Sequence, residues 1–428
     1  MLCAMYFAQG VPWGFMVTAL ISYLTGEKGV SDASAGELTA VVLLPWTFKL
    51  VWGPLIDSVT IRSMGRRRPW IIFAELMMAL SLLGILMLGD LSNNLRMLGW
   101  MFFIHNCFAS LQDVATDALA VDVLPPEEQG RTNGMMWCSK LVGKAIGASG
   151  MAVVISNWGL PAAVFAQFGI LIIIMFFPLL LLERPGEKRF PWSNRPIAST
   201  DEFSRSEEKL AAESKSLRSP LHVLRDIRRA YSSVVTSVFL VFGVVIVIGW
   251  GIVEVITKPL YTQQLGWDFV QFSNVSGTAV VTEMPAAILG GYLADRFGRR
   301  KVMAIGFFLY GLLAAVFGSF PGLWDRSWFA GGYLLLNPGV LALGSVGFIS
   351  MSMRISWTKA AATMFTIYMT VSNIGHVIGN KLVGPLRDDY EFSYEQIFWF
   401  VAIVTWLPLL LLPLVNPQRV DDMDQRGQ

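Results

Sequence analysis

The chain of 428 residues is 54% hydrophobic and only 15% charged, with a mean hydropathy of +0.54. A water-soluble domain has about 25% charged residues, so this composition excludes an ordinary soluble protein. A net charge of +2 gives no footprint for nucleic acid, and Cys3, Cys107 and Cys138 lie in apolar runs without metal-ligand or disulfide spacing. With no nucleotide-binding loop, metal cluster or nucleophile motif, neither an enzyme nor a bound cofactor is expected.

The chain opens on the apolar run Met1-Leu2-Cys3-Ala4-Met5-Tyr6-Phe7. A basic leader is missing, and Gln9, Pro12 and Trp13 interrupt the run, so it is expected to be a first membrane helix rather than a cleaved signal peptide. Whether a short tail precedes Met1 stays open. A bilayer core of about 30 Å needs roughly 20 apolar residues per helix. Twelve segments qualify: 2–24, 36–56, 69–89, 98–123, 132–156, 162–182, 233–258, 269–293, 302–320, 329–353, 359–383 and 396–415. The expected fold is therefore all-α: two six-helix bundles over 1–182 and 233–415, a linker over 183–232 and a tail over 416–428. The linker is expected to be partly helical near Ser206–Lys215. Asn337-Pro338-Gly339 is expected to break the tenth segment. Most of the 33 Lys and Arg residues fall in alternate loops, the linker and the tail, which places both termini in the cytoplasm.

The stretch Gly291-Tyr292-Leu293-Ala294-Asp295-Arg296-Phe297-Gly298-Arg299-Arg300-Lys301 separates two apolar runs. A degenerate copy lies half a chain earlier, as Gly53-Pro54-Leu55-Ile56-Asp57 and, after an insertion, Gly65-Arg66-Arg67-Arg68. A second pair, Gly143-Lys144-Ala145-Ile146-Gly147 and Gly375-His376-Val377-Ile378-Gly379, recurs at similar spacing. Small residues four apart let helices approach closely, so packing is favoured over solute contact here. The acidic-then-basic loop resembles the cytoplasmic loop of major facilitator superfamily transporters, which recurs in both halves of that fold. The resemblance implies a conformational gate in which Asp57, Arg66 and Arg67, and likewise Asp295, Arg299 and Arg300, lock the inner face in one state. From the residues alone, each aspartate could cap a helix or pair with an arginine.

Ionisable residues inside apolar segments are the default candidates for a transport path. Gln112, Asp113 and Asp117 lie in the fourth segment, with His105 and Asp122 on either side, and Lys140 and Lys144 lie in the fifth. In an antiparallel hairpin turning at Pro125-Pro126, Asp113 and Lys144 are at equal depth, as are Asp117 and Lys140, so two ion pairs are expected. They either lock the hairpin or touch solute and proton. Lys49, between Trp46 and Trp52, either pairs with Asp117 or faces an anionic solute. Glu254 and Lys258 are expected to form a rim pair. Glu283 precedes Pro285 with no adjacent cation, which suits a proton carrier, although a partner on another helix is equally open. His376 is a further titratable candidate, and Gln9 adds a polar group in the first segment.

Three stretches narrow the resemblance: Gln9–Gly14, Leu44–Asp57, and Ser110–Ala118 continuing to Leu124–Gly130. They are similar to AmpG-type muropeptide permeases and their relatives, the acetyl-coenzyme A transporters and some siderophore importers. The resemblance implies proton-driven import of a bulky polar metabolite across the inner (plasma) membrane, with Lys49, Asp113 and Asp117 at matching polar positions. A monomer is expected, with a small solute, the proton and the bilayer as its partners. A uniporter, an exporter of small amphiphiles or siderophores, and a non-transporting receptor are the competing readings. The charge asymmetry makes a direct forecast for single cysteines. At Lys28, Asp90 and Arg387 they are expected to react with an impermeant maleimide in intact cells, and at Arg67, Lys209 and Arg299 only after permeabilisation; the reverse pattern would overturn the orientation.

Overall fold

The computed structural model describes residues 1–30, 32–59, 64–183, 187–190, 192, 233–267, 269–356 and 361–415. The expected helix near Ser206–Lys215, Lys209 and the 416–428 tail lie outside the described residues. In hydrocarbon, every backbone N–H and C=O must be satisfied within the segment, which leaves the α-helix as the available form for such apolar runs. Sixteen α-helices and no strands occur among the described residues. They are α1 (Leu2–Gly14), α2 (Leu20–Gly26), α3 (Asp32–Thr47), α4 (Trp52–Ser58), α5 (Arg68–Leu83), α6 (Leu95–Val123), α7 (Gln129–Ala145) and α8 (Met151–Leu180). After the linker come α9 (Val234–Val245), α10 (Ile248–Pro259), α11 (Phe269–Thr278), α12 (Val280–Phe297), α13 (Arg299–Ser319), α14 (Ser327–Ile355), α15 (Ala361–Gly384) and α16 (Tyr394–Trp406).

Seven helical runs among the described residues are long and apolar enough to cross a membrane. One of them, Pro126–Leu180, is 55 residues long, well over twice the roughly 20 that a bilayer requires. It bends at Gly159, where φ is +82° and Pro161 follows closely, which divides it near the expected boundary. Helix α6 is not among the seven; it carries His105, Asp113, Asp117 and Asp122 within its length. Two expectations need correction. Helix α14 runs unbroken through Asn337-Pro338-Gly339; the Thr282 hydroxyl donates to the Leu335 carbonyl and Asn337 donates to the Tyr333 hydroxyl at 3.1 Å, so polar groups around the proline find partners inside the protein. The expected loop over 294–301 shrinks to Gly298, between α12 and α13. Its φ of +96° is open to glycine and strained for other residues, so the reversal needs no further loop.

The chain folds as two compact units. One comprises Met1–Val123, Ser139–Ile227 and Thr358–Thr366; the other comprises Leu124–Cys138, Arg228–Trp357 and Ile367–Gln428. In the first unit, Phe15, Phe102, Met78, Leu82 and Val164 join one apolar core. In the second, Tyr261, Tyr310, Phe317, Trp324 and Phe398 form an aromatic core, with Phe317 stacked 4.2 Å from Tyr333. Large apolar side chains such as Met87, Trp158, Ile173 and Leu410 are exposed, while Gln112, Thr116 and Glu75 are buried. That inversion suits a lipid solvent.

The expected glycine pairs are packing devices. A Cβ at Gly10 or Gly14 would strike α7 backbone at Lys140 and Lys144, and one at Gly143 or Gly147 would strike the carbonyls of Phe7 and Val11. In the second unit, Gly375 and Gly379 pack in the same way on the carbonyls of Val244 and Ile248. Wide π-type turns follow α1 (Phe15–Ala19), α7 (Ile146–Gly150), α10 (Leu260–Gln264) and α15 (Pro385–Asp389), so the sequence repeat recurs in backbone form. At the start of α5, the buried Arg68 side chain donates to the carbonyls of Met64, Pro178, Leu179, Lys188 and Arg189, tying it to the end of α8. Gly147→Leu is expected to lower the melting temperature of the purified protein, since overpacking costs about 1–3 kcal/mol. Gly169→Ala, where a Cβ meets nothing within 4 Å, is expected to leave it unchanged; equal effects would show that the crossing is not tight.

Candidate functional site

The first unit gathers its ionisable residues around Asp113. Helix α3 gives way at Lys49–Val51 to one tight 3-10 turn before α4 begins. The flanking indoles hold that turn on α6: Trp46 donates to Asn106 at 3.1 Å and Trp52 to Ser110 at 2.9 Å. This delivers the Lys49 ammonium to Asp113 at 3.3 Å, and Lys140 approaches the other oxygen of Asp113 at 4.0 Å. The Tyr6 hydroxyl donates to Asp117 at 2.5 Å. Asp117 also lies within electrostatic reach of both lysines. Two lysines and two aspartates thus share one buried site, as charges removed from water require.

These partners correct the expected pairs. Lys140 faces Asp113 rather than Asp117, and Lys49 takes Asp113 rather than Asp117. Among the described residues Lys144 forms no ion pair with Asp113; its ammonium lies 5.0 Å from the Trp13 ring centre. The reason is α1. Its glycines let it lie directly on α7, and its Tyr6 and Trp13 rings occupy the space where α6 and α7 were expected to meet face to face. Lys140 lies over both of these rings and that of Trp46 on α3, 5.4 Å from Tyr6, 5.5 Å from Trp13 and 4.9 Å from Trp46. Such contacts contribute about 0.5–2 kcal/mol each, most where water is excluded. Beside the charges, Gln9 donates to Gln112 at 2.7 Å and Gln112 donates to the Met5 carbonyl at 3.2 Å.

In the second unit the candidates are more dispersed. Glu283 is half-buried and accepts from the Trp137 indole at 3.3 Å, so the expected lone carboxylate has a partner. Glu254 sits 2.7 Å from His376, whose ring lies 4.1 Å from that of Trp250; this places Glu254 with the histidine.

The motif aspartates act both as caps and as arginine partners. Asp57 accepts from Arg67 at 2.7 Å and Arg66 at 3.3 Å, while its other oxygen receives the backbone N–H and the hydroxyl of Thr363, at 2.9 and 2.8 Å, in the first turn of α15. Arg67 is fully buried and also binds Asp122 at 2.8 Å. Burial pulls its pKa down, but Asp122 and Asp57 more than offset this and hold it above the ordinary guanidinium value. In the second unit, Asp295 accepts from the backbone N–H groups of Gly130 at 2.7 Å and Arg131 at 2.6 Å, in the first turn of α7. Arg299 lies 3.9 Å from Asp295 and donates to Ser350 at 2.8 Å. Arg300 instead donates to the Val415 carbonyl at 3.4 Å, away from Asp295.

Sequence reasoning missed Tyr6, which reads as one more apolar aromatic, and Glu75, fully buried in α5. The signal for Glu75 was available: it is the one acid in the run Trp70–Leu83. Among the described residues no group of three or more potential metal ligands occurs.

Apolar outer surfaces, buried charge and seven membrane-capable runs define an integral, multi-pass membrane protein. The sequence model of the Major Facilitator Superfamily matches residues 2–380 and 239–424, and the chain belongs to that family of membrane transporters, which are not enzymes. It is 24% identical to the anhydromuropeptide permease of Escherichia coli (strain K12), over 95% of this chain and 77% of that one. It is 22% identical to the putative transporter AmpG 1 of Rickettsia prowazekii (strain Madrid E), over 92% of each. Among solved structures, the E. coli fucose:proton symporter FucP aligns with a TM-score of 0.70 at 13% identity, covering 97% of both chains. The proton:xylose symporter XylE aligns with a TM-score of 0.68 at 13% identity, covering 97% of this chain and 95% of that one, and these two likenesses establish the fold alone.

Loss of an N-cap costs about 0.5–2 kcal/mol. Asp57→Ala is therefore expected to speed amide exchange at Thr363, and Asp295→Ala at Gly130 and Arg131, in hydrogen-exchange mass spectrometry. Unchanged protection in either peptide would remove the capping role.

Proposed function

We propose that this protein is a secondary active transporter that works by alternating access and imports a polar, anionic or sugar-bearing metabolite of the muropeptide type together with protons. The observation that carries this reading is the cation–aromatic wall of the first unit. There Lys49 and Lys140 are neutralised by aspartates, whereas Lys144 is half-buried over Trp13 with no carboxylate in ion-pair range among the described residues. A cation held on an indole face suits a carboxylate-bearing solute, and the neighbouring rings of Tyr6 and Trp46 suit the apolar faces of a sugar. The anhydromuropeptide permease supports that solute class by its name, and the symporter folds are consistent with proton coupling.

The topology belongs to the same proposal: twelve spans as two six-helix bundles over 1–182 and 233–415, a linker over 183–232, a 416–428 tail, both termini cytoplasmic, and a monomer in the inner membrane. Asp57 with Arg66 and Arg67, and Asp295 with Arg299, hold the first turns of α15 and α7 in one state of the cycle and release them in the other. Arg300 serves as an anchor for the chain near Val415. Proteoliposomes test the reading directly. Labelled anhydromuropeptide is expected to accumulate under an inward proton gradient and to fall back to equilibrium with a protonophore. A charge-assisted hydrogen bond is worth about 1.5–3 kcal/mol, so Lys144→Gln is expected to weaken apparent affinity by about tenfold or more. Uptake indifferent to the protonophore would make the protein a uniporter; absence of uptake would overturn the solute class.

A further inference from the structure

Glu75 lies on α5 and is fully buried, and among the described residues neither of its carboxyl oxygens has a partner within hydrogen-bond distance. Its polar neighbour is the Gln112 side chain of α6. That amide spends one of its two N–H donors on the Met5 carbonyl at 3.2 Å and accepts from Gln9 at 2.7 Å. Among the described residues, the elements packed most extensively on α5 are α6, α8 and the short turn Gly84–Leu88. Helix α8 and the turn contain no ionisable side chain. Helix α6 carries Arg96, His105, Cys107, Asp113, Asp117 and Asp122, and its buried members are engaged elsewhere. His105 binds the Met78 carbonyl and Ser81 at 3.1 and 3.0 Å, Asp113 holds Lys49 and Lys140, Asp117 takes Tyr6, and Asp122 takes Arg67. Of the cations buried in this unit, Lys49, Lys140 and Arg67 are held by other acids and Arg68 by backbone carbonyls.

A carboxylate buried without a donor or counter-ion is prohibitively costly, and such a group stays neutral instead. We propose that Glu75 is the proton-binding site of the first unit and that release of its proton is read by α1 through Gln112; this rests on the proton-coupled reading above. Protonated, Glu75 donates and needs only an acceptor, which the Gln112 amide oxygen supplies. Ionised, it needs donors. Gln112 has one N–H besides the one held by the Met5 carbonyl, and turning it onto the carboxylate swings its amide oxygen away from Gln9 and strains the bond to Met5. Both partners are on α1, the helix that presents Tyr6 to Asp117 and Trp13 to Lys144. The Gln9 carbonyl oxygen is itself buried without a donor, so the amide pair has an unused acceptor with which to re-form after the switch. Proton release at Glu75 thus loosens the hold of α6 on the helix that lines the cation–aromatic wall.

Infrared difference spectroscopy across a pH titration of the reconstituted full chain reads the carbonyl stretch of a protonated, buried carboxyl without any solute. The wild-type protein is expected to show this band and to lose it on alkalinisation. E75Q is expected to lack the Glu75 contribution, and E75D to keep it at a displaced frequency, so a folding defect in one variant does not hide the result. In proteoliposomes, E75Q is expected to retain counterflow of labelled anhydromuropeptide while accumulation under a proton gradient falls to the protonophore-treated level. An unchanged band in E75Q overturns the protonation, and normal accumulation by E75Q overturns the coupling role. Wild-type vesicles that exchange solute yet ignore the gradient defeat the proton-coupled reading itself, a result visible before any variant is made.

Discussion

The first unit is organised around the need to neutralise charge where water is absent. Asp113 answers it by serving two lysines at once, Lys49 at 3.3 Å and Lys140 at 4.0 Å. For this, three segments must converge on α6. The 3-10 turn between α3 and α4 must present Lys49, the indoles of Trp46 and Trp52 must hold that turn, and α7 must lie on α1 closely enough to bring Lys140 inward. The glycine crossings of α1 and α7 therefore serve electrostatics as well as packing. A larger residue at Gly10 or Gly143 would separate the helices and strand a cation.

Both units use a common set of devices. Glycines bring α1 onto α7 and the α9–α10 pair onto α15; π-type turns follow α1, α7, α10 and α15; and an aspartate from each motif copy caps the first turn of α15 or α7. The chemistry is less symmetric. Four of the buried charges of the first unit compensate one another, whereas in the second unit Glu283 accepts from an indole and the exposed Glu254 lies beside a histidine. In the proposed cycle this assigns solute charge and proton to the first unit, and leaves the second to shape and gating. A wide π-type turn gives a helix one residue of slack, and such turns are common at functional sites. Here they sit on the helices that carry the glycine crossings.

Much of this was legible in the residues. Hydropathy located the apolar segments, the repeated Asp–Arg loop gave the family, and charge in apolar runs picked out Lys49, Asp113, Asp117, Lys140 and Lys144. The partners were not legible, because equal depth along two helices says nothing of a third helix between them. Tyr6 and Trp13 fill that space, and both read as ordinary membrane aromatics. Glu283 looked unpartnered because its donor, Trp137, is far away in sequence. Glu75 is an isolated acid in an apolar run, as Glu283 is, and only the packing of α5 shows that it is fully buried. The Gly298 reversal was mistaken for a loop because the acidic and basic residues that flank it are polar, although they sit on helix ends.

The central claim is that Asp113 is the shared counter-ion of Lys49 and Lys140. The most direct test is a mutant cycle read by thermal unfolding of purified protein. Breaking a buried pair by removing one partner costs about 3–5 kcal/mol, whereas replacing the whole set by apolar groups is often neutral. Asp113→Asn strands two lysines and is expected to destabilise most, Lys49→Met less because Lys140 remains, and the combined change of Asp113→Asn and Asp117→Asn with Lys49→Met and Lys140→Met, which leaves no charge of the site behind, is expected to regain most of the loss. Additive losses, with the combined variant the least stable of all, would contradict the shared counter-ion and the architecture built on it.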